Sequence, residues 1–138
     1  MLSNPALYLD NLWDFDIFNP CFENPKIKFS DLDAIVEIGG RFLVLEFKSR
    51  LASIPTGQQR MIEALSKIEC FVVLVVWGSP NQPEYWQAYH HTLPQGSEVK
   101  PCTLNQLQDF VSFWSKDFSF AEILTNIFNS TYYADETR

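Results

Sequence analysis

Asp33, Glu46 and Lys48 stand in the stretch SDLDAIVEIGGRFLVLEFK (30–48) at a spacing that can bring them onto one sheet face. Gly39-Gly40, set between two β-rich runs, reads as a two-residue hairpin turn. With those glycines as the turn, Asp33 falls opposite Glu46, Asp31 opposite Lys48, Ile35 opposite Val44 and Glu37 opposite Phe42. A loop longer by one residue would slip the register and undo the alignment. Carboxylates facing each other across a hairpin have Cβ atoms about 5 Å apart and repel. A divalent cation offsets that repulsion, since hard ions such as Mg²⁺ take oxygen ligands and are often held by only one or two carboxylates. The alternative leaves both acids solvated on an edge, with Lys48 neutralising one of them.

Other elements must hold this constellation in place. The second face of the hairpin, with Leu32, Ala34, Val36, Ile38, Leu43, Leu45 and Phe47, is apolar apart from Arg41 and is expected to pack into a core. After a turn at 53–57, Thr56 and Gln59 form a T-x-x-Q capping box that opens a helix and places Gln58 at its start. Met61, Ala64, Leu65 and Ile68 give that helix one apolar stripe. CFVVLVVWG (70–78) is a continuous apolar run, as in a strand buried on both faces. SPNQP reads as a loop, and Glu84–Tyr89 as a returning antiparallel strand. Thr103 with Gln106 repeats the capping box before Leu104, Leu107, Phe110, Val111 and Trp114. Ser119 with Glu122 repeats it again before Ile123, Leu124, Ile127 and Phe128.

Upstream of the hairpin, Asn4-Pro5 reads as a helix start continued by Leu7–Trp13. A Phe- and Pro-rich connection, DFDIFNPCFENP, and an extended segment from Lys26 follow; the tail NSTYYADETR is expected to fray. The predicted order is α-β-β-α-β-β-α-α, an α/β fold with a mixed sheet flanked by helices.

The chain has 138 residues, 46% of them hydrophobic, which fits one domain over 1–138 with its own core. Its three cysteines are odd in number and lack metal spacing, as expected of free thiols in a reducing compartment. The N-terminal residues lack the basic and apolar regions of a signal peptide, and no apolar run is long enough to span a bilayer. A soluble cytoplasmic protein without membrane contact is the expectation. The net charge of −7 argues against a general polyanion binder. Yet residues 26–67 hold seven of the ten Lys and Arg against five acids. That is either a basic rim suited to a phosphate backbone or ordinary solvated surface.

An Asp on one strand, Glu-x-Lys on its hairpin partner and a Gln at the start of the next helix resemble the PD-(D/E)XK nuclease superfamily. The matching residues are Asp33, then Glu46-Phe47-Lys48, then Gln58 within TGQQRMIEAL. The resemblance covers residues 26–80, with C-terminal helices at 103–129 beyond it. It extends to short phage and bacterial restriction-endonuclease-like proteins with a D-x-D…E-x-K…G-Q pattern. It implies a restriction-endonuclease-like core and Mg²⁺- or Mn²⁺-dependent hydrolysis of nucleic-acid phosphodiesters, DNA first. Asp33, Glu46 and the Phe47 backbone carbonyl would hold the metal, and Lys48 and Gln58 would act on water and phosphate. Asp31 would be a second-layer partner of Lys48 or simply a strand-start residue. The Pro that usually precedes the first Asp is absent, since Leu32 stands there.

His90-His91 lack a matching carboxylate or Cys motif and read as loop residues. Trp77, Tyr85, Trp86 and Tyr89 read as core or sheet-surface aromatics, with base stacking as the alternative. Glu37 lies toward the turn and is expected to be solvated. The competing function is a nuclease-like fold used for binding or regulation through a protein partner without cleavage. A nuclease this small would need a homodimer or a partner to grip a duplex. A third, plain reading is a structural domain without ligand.

Overall fold

Gly39 and Gly40 take φ values of 58° and 82°, the doubly positive turn that matches the twist of a two-residue hairpin. The computed structural model describes residues 6, 10–50 and 52–131. In it, β1 (Ala34–Ile38) and β2 (Arg41–Lys48) pair antiparallel, with Ile35 against Val44 and Glu37 against Phe42. This is the register that the glycines dictate. Exposed Glu37 turns back to accept the Gly40 N–H at 2.8 Å, securing the turn.

From β2 the chain crosses through α1 (Thr56–Ser66) into β3 (Phe71–Ser79), which lies parallel to β2. A parallel neighbour requires such a crossover. β4 (Gln82–Tyr89) and the two-residue β5 (Lys100–Pro101) then add antiparallel, giving the order β1-β2-β3-β4-β5. The fold is mixed α/β.

Both faces of the sheet carry a core. On one, Val44, Val73, Val75 and Tyr89 pack with Ile62 of α1. On the other, Leu43, Leu74 and Trp86 pack with Phe110 and Phe128. β3 is therefore buried on both sides, as its unbroken apolar run requires.

α2 (Leu104–Ser115) opens with the full capping box, Gln106 N–H on the Thr103 hydroxyl and Thr103 N–H on Gln106 Oε1. Buried Gln106 also donates to the Ile127 carbonyl at 2.8 Å, tying this cap to the next helix. Thr103→Ala removes one of these bonds and should lower stability by about 1 kcal/mol, read as a shift in the denaturation midpoint with an unchanged slope. A second box, Ser119 with Glu122, opens α3 (Phe120–Ile123), which widens into a π-turn over Leu124–Phe128.

Three expectations need correction. The cap of α1 is Pro55, with no side-chain capping bond, and Thr56 is already the first helical residue. Gln59 reaches inward to the Tyr89 hydroxyl instead of back to Thr56. The inward side of α1 accordingly includes Gln58, Gln59, Ile62, Leu65 and Ser66, while Ala64 faces out and Ile68, past the helix end, is exposed. The surface beneath this helix presents polar groups at one end, so its buried face is part polar.

The third correction concerns the apolar face of the hairpin. Leu43 is buried and Leu45 partly so, but Val36 (43%), Ile38 (39%) and Phe47 (49%) remain exposed. β1 ends the sheet, and the residues that cover this face pack over β2, β3 and β4. Arg41, the polar exception on the face, serves α2. Its guanidinium donates to the Trp114 carbonyl at 2.9 Å, lies 4.8 Å from the Trp114 ring centre and pairs with Asp117. A cation there satisfies a helix-end carbonyl and complements the dipole.

The chain divides into two compact units, 1–31 and 32–138. In the first, DFDIFNPCFENP contains a 3₁₀ helix over Phe15–Cys21, capped by the Asp14 carboxylate. The rings of Phe15, Phe18 and Phe22 gather on Phe29. The Asn4-Pro5 helix start, residues 7–9 of its continuation and most of the tail (132–138) lie outside the described residues. Among the described residues, no helix is long and apolar enough to cross a membrane. All three cysteines are free, and burial pushes the Cys102 thiol up to about 12, leaving it inert.

Candidate active site at the open end of the hairpin

The ladder between β1 and β2 stops at the pair Ala34–Leu45, and side chains take over beyond it. Asp33 Oδ2 accepts the Phe47 N–H at 2.8 Å, occupying the amide that a further rung would use. In return the Asp33 N–H donates to Glu46 Oε1 at 3.2 Å. Asp33 is thus tied to β2 twice, by its carboxylate to the Phe47 backbone and by its own N–H to the Glu46 carboxylate, which brings it beside Glu46. A residue in an extended strand projects its N–H and C=O to the same side. The Phe47 carbonyl is therefore directed to the Asp33 edge.

Glu46 shares its face of β2 with Val44 and lies under the first turn of α1. There Gln58 Nε2 donates to Glu46 Oε2 at 3.0 Å. Glu46 is only 1% exposed, an unusual position for a carboxylate. Gln58 Oε1 is buried with no hydrogen-bond partner, and turning the amide over would set it against Glu46. Lys48, two residues along β2 and half-buried, faces Trp77 across the parallel pair. Among the described residues it forms no salt bridge, but its charge acts on Glu46.

Burial raises the Glu46 carboxyl above its ordinary value. The Asp33 N–H opposes this, the Asp33 charge adds to it, and Lys48 opposes it weakly. The folded chain thus holds this proton more tightly than the unfolded chain does. Its contribution to stability is complete below the ordinary carboxylate range and is lost as pH rises through the folded pKa, the reverse of a salt-bridged acid. Thermal melts between about pH 4 and 8 should show the parent losing stability relative to Glu46→Gln as pH rises. A constant gap between the two curves would contradict the shift.

The carboxylates of Asp33 and Glu46, with the Phe47 carbonyl directed to the Asp33 edge, are oxygens of the kind that a hard divalent cation takes. Among the described residues, no group of three His, Cys, Asp or Glu gathers. Of the site residues read from the sequence, Asp33, Glu46 and Gln58 are joined by hydrogen bonds, and Lys48 stands on the same face. Asp31 is exposed and outside the ladder, at the end of the first unit.

The other candidates lie outside this hydrogen-bonded group. His90 stacks on Phe120 and bonds the Thr92 hydroxyl through Nδ1. Burial, with the His91 charge adding to it, lowers its pKa to about 4 and keeps it neutral. Trp77, Trp86 and Tyr89 are buried, while Tyr85 is 40% exposed. Tyr89 belongs to a chain that sequence reasoning missed. Its hydroxyl bonds Gln59 and Gln87, and Gln87 reaches the Ser97 carbonyl. The chain pins the first turn of α1, next to Gln58, onto β4. The Gln58-Gln59 pair at a helix start was its only sequence signal.

Comparison with protein families, curated proteins and solved structures finds no match for the chain.

Proposed function

We propose that this chain is a metal-dependent nuclease with a restriction-endonuclease-like core, hydrolysing nucleic-acid phosphodiesters, DNA first. The observation that carries the reading is the Glu46 carboxylate, buried to 1% and held by Asp33 and Gln58 with Lys48 two residues on. Burying a carboxylate beside another acid is costly unless a cation or proton accompanies it. The hairpin, crossing helix and parallel strand, with these residues at one end, agree with such a core.

Asp33, Glu46 and the Phe47 carbonyl would hold Mg²⁺ or Mn²⁺. When bound, the ion polarises a phosphate oxygen and lowers the pKa of a bound water. Gln58 Nε2 fixes the Glu46 carboxylate, and its unpartnered Oε1 is available to accept a hydrogen bond from a water or from Lys48. Lys48 offers an ammonium to the charge that grows on the phosphate.

The test is cleavage of single-stranded, duplex and branched DNA and of RNA by the purified protein with Mg²⁺ or Mn²⁺. Cutting that disappears with chelator supports the nuclease. Metal binding without cutting of any substrate would overturn it. It would favour the second reading, a nuclease-like fold that binds a protein partner. That reading draws on the small size of the chain and its net charge of −7.

A further inference from the structure

Phe47 is among the residues that the sheet pattern places in the core and the fold leaves exposed, and it is the most exposed of them on this face. Its side chain projects from the sheet face opposite Glu46, beside Val76, into a cleft of about 590 Å³. The cleft lies at the carboxyl ends of the parallel strands β2 and β3, where α/β sheets take their ligands. The hairpin residues Gly78, Pro80 and Pro83 form one wall, and Leu104 and Leu107 of α2 the other. Lys48 and Ser49 carry the rim around the strand end toward the carboxylates. Lys48 is the only charged residue among the described residues that line it. Asn81 and Ser79 supply side-chain polar groups at the mouth. A second cleft of about 520 Å³ shares Asn81, Pro83 and Leu104 with the first and is lined also by exposed Tyr85.

We propose that this cleft holds an unstacked nucleobase of a single-stranded segment, whose phosphate lies at Lys48. Three observations converge on that occupant. The walls are apolar and include an exposed aromatic ring, which suits the flat face of any base. The single cation stands on the rim that leads to the carboxylate pair, where the phosphate of the same nucleotide would be. And a chain with net charge −7 cannot grip a polyanion by charge alone, so contacts to bases must contribute much of the affinity. A base paired within a duplex cannot enter the cleft. The substrate class is therefore a single strand, a frayed end or a flap. The link to cutting rests on the nuclease reading, but base capture itself does not.

The test is a titration of ¹⁵N-labelled protein, without metal, with a deoxythymidylate hexamer and with an abasic sugar-phosphate hexamer of equal charge. The thymidylate strand should shift the amides of Phe47, Ser79, Asn81 and Leu107 saturably, and the abasic strand should not. Leu104 is 40% exposed, so Leu104→Trp fills the cleft from its rim and should weaken thymidylate binding about tenfold. Unmoved amides at Phe71, Val72 and Val73, at the end of β3 away from the cleft, would confirm that this variant is folded. Equal shifts from the abasic strand, no shift at these amides, or parent-like binding by Leu104→Trp would each overturn the proposal. Base-dependent shifts in a protein that cuts nothing would sink the nuclease and leave the cleft assignment standing. Metal-dependent cutting without those shifts would do the opposite.

Discussion

Glu46→Gln should reduce metal-dependent cleavage by about a thousandfold or more, equivalent to ~4 kcal/mol of transition-state stabilisation. Glutamine preserves the shape of the side chain and one acceptor for Gln58 Nε2, which now bonds Glu46 at 3.0 Å. It removes the charge that a cation requires. The change tests chemistry more cleanly than alanine, which would also open a cavity in a position that is 1% exposed. The loss should appear in turnover with Mg²⁺ and with Mn²⁺ alike, with the circular dichroism spectrum unchanged. Mg²⁺ or Mn²⁺ should also raise the melting temperature of the parent at neutral pH and not that of the variant, since only a species that binds the folded form stabilises it. A variant that cuts as the parent does would place the activity elsewhere in the chain or in a contaminant.

Gly78→Ala should have the largest effect on stability, about 3 kcal/mol or roughly 10 to 15 °C in melting temperature. The β3–β4 register shifts between Trp77 and Gly78, so the chain folds back tightly into the Pro80-Asn81 turn. A Cβ at Gly78 would run into the Gln82 carbonyl oxygen and lie 3.0 Å from Pro83 Cα. Both are backbone atoms and cannot swing aside. The φ of 152° adds strain for any side chain. Thermal melts of the variant beside Gly57→Ala settle the matter, because Gly57 has open space around its Cβ position and a helical backbone. Equal effects at the two positions would refute the steric argument.

The sequence made some of this architecture legible for reasons that are physical and local. Gly39-Gly40 favours a two-residue hairpin turn, and a loop of that length sets the pairings of the hairpin, including the approach of Asp33 to Glu46. Thr103 and Ser119 each meet a partner three residues on, so two helix starts were readable. The start of α1 was not, because Pro55 sets it without a side-chain bond. Nor was its rotation, since a stripe drawn from apolar residues alone omits Gln58 and Gln59, which turn inward to meet Glu46 and Tyr89. The exposure of Phe47 was hidden for a related reason. Alternation along a strand says which residues share a face, but not how far the covering layer extends over it.

The position of β1 at the sheet's border has a consequence for when the site exists at all. Native-state opening is graded, from fraying borders at little cost to central strands that open only with global unfolding. Glu46 sits on β2, anchored on one side by β3, which is paired along both edges and covered on both faces. Asp33 precedes a five-residue strand paired on one side alone. The two carboxylates therefore belong to cooperative units of different stability, and amide hydrogen exchange in β1 should outpace that in β3. Detachment of β1 alone would separate the acids, so the assembled site is expected to follow a local equilibrium rather than the free energy of the whole fold.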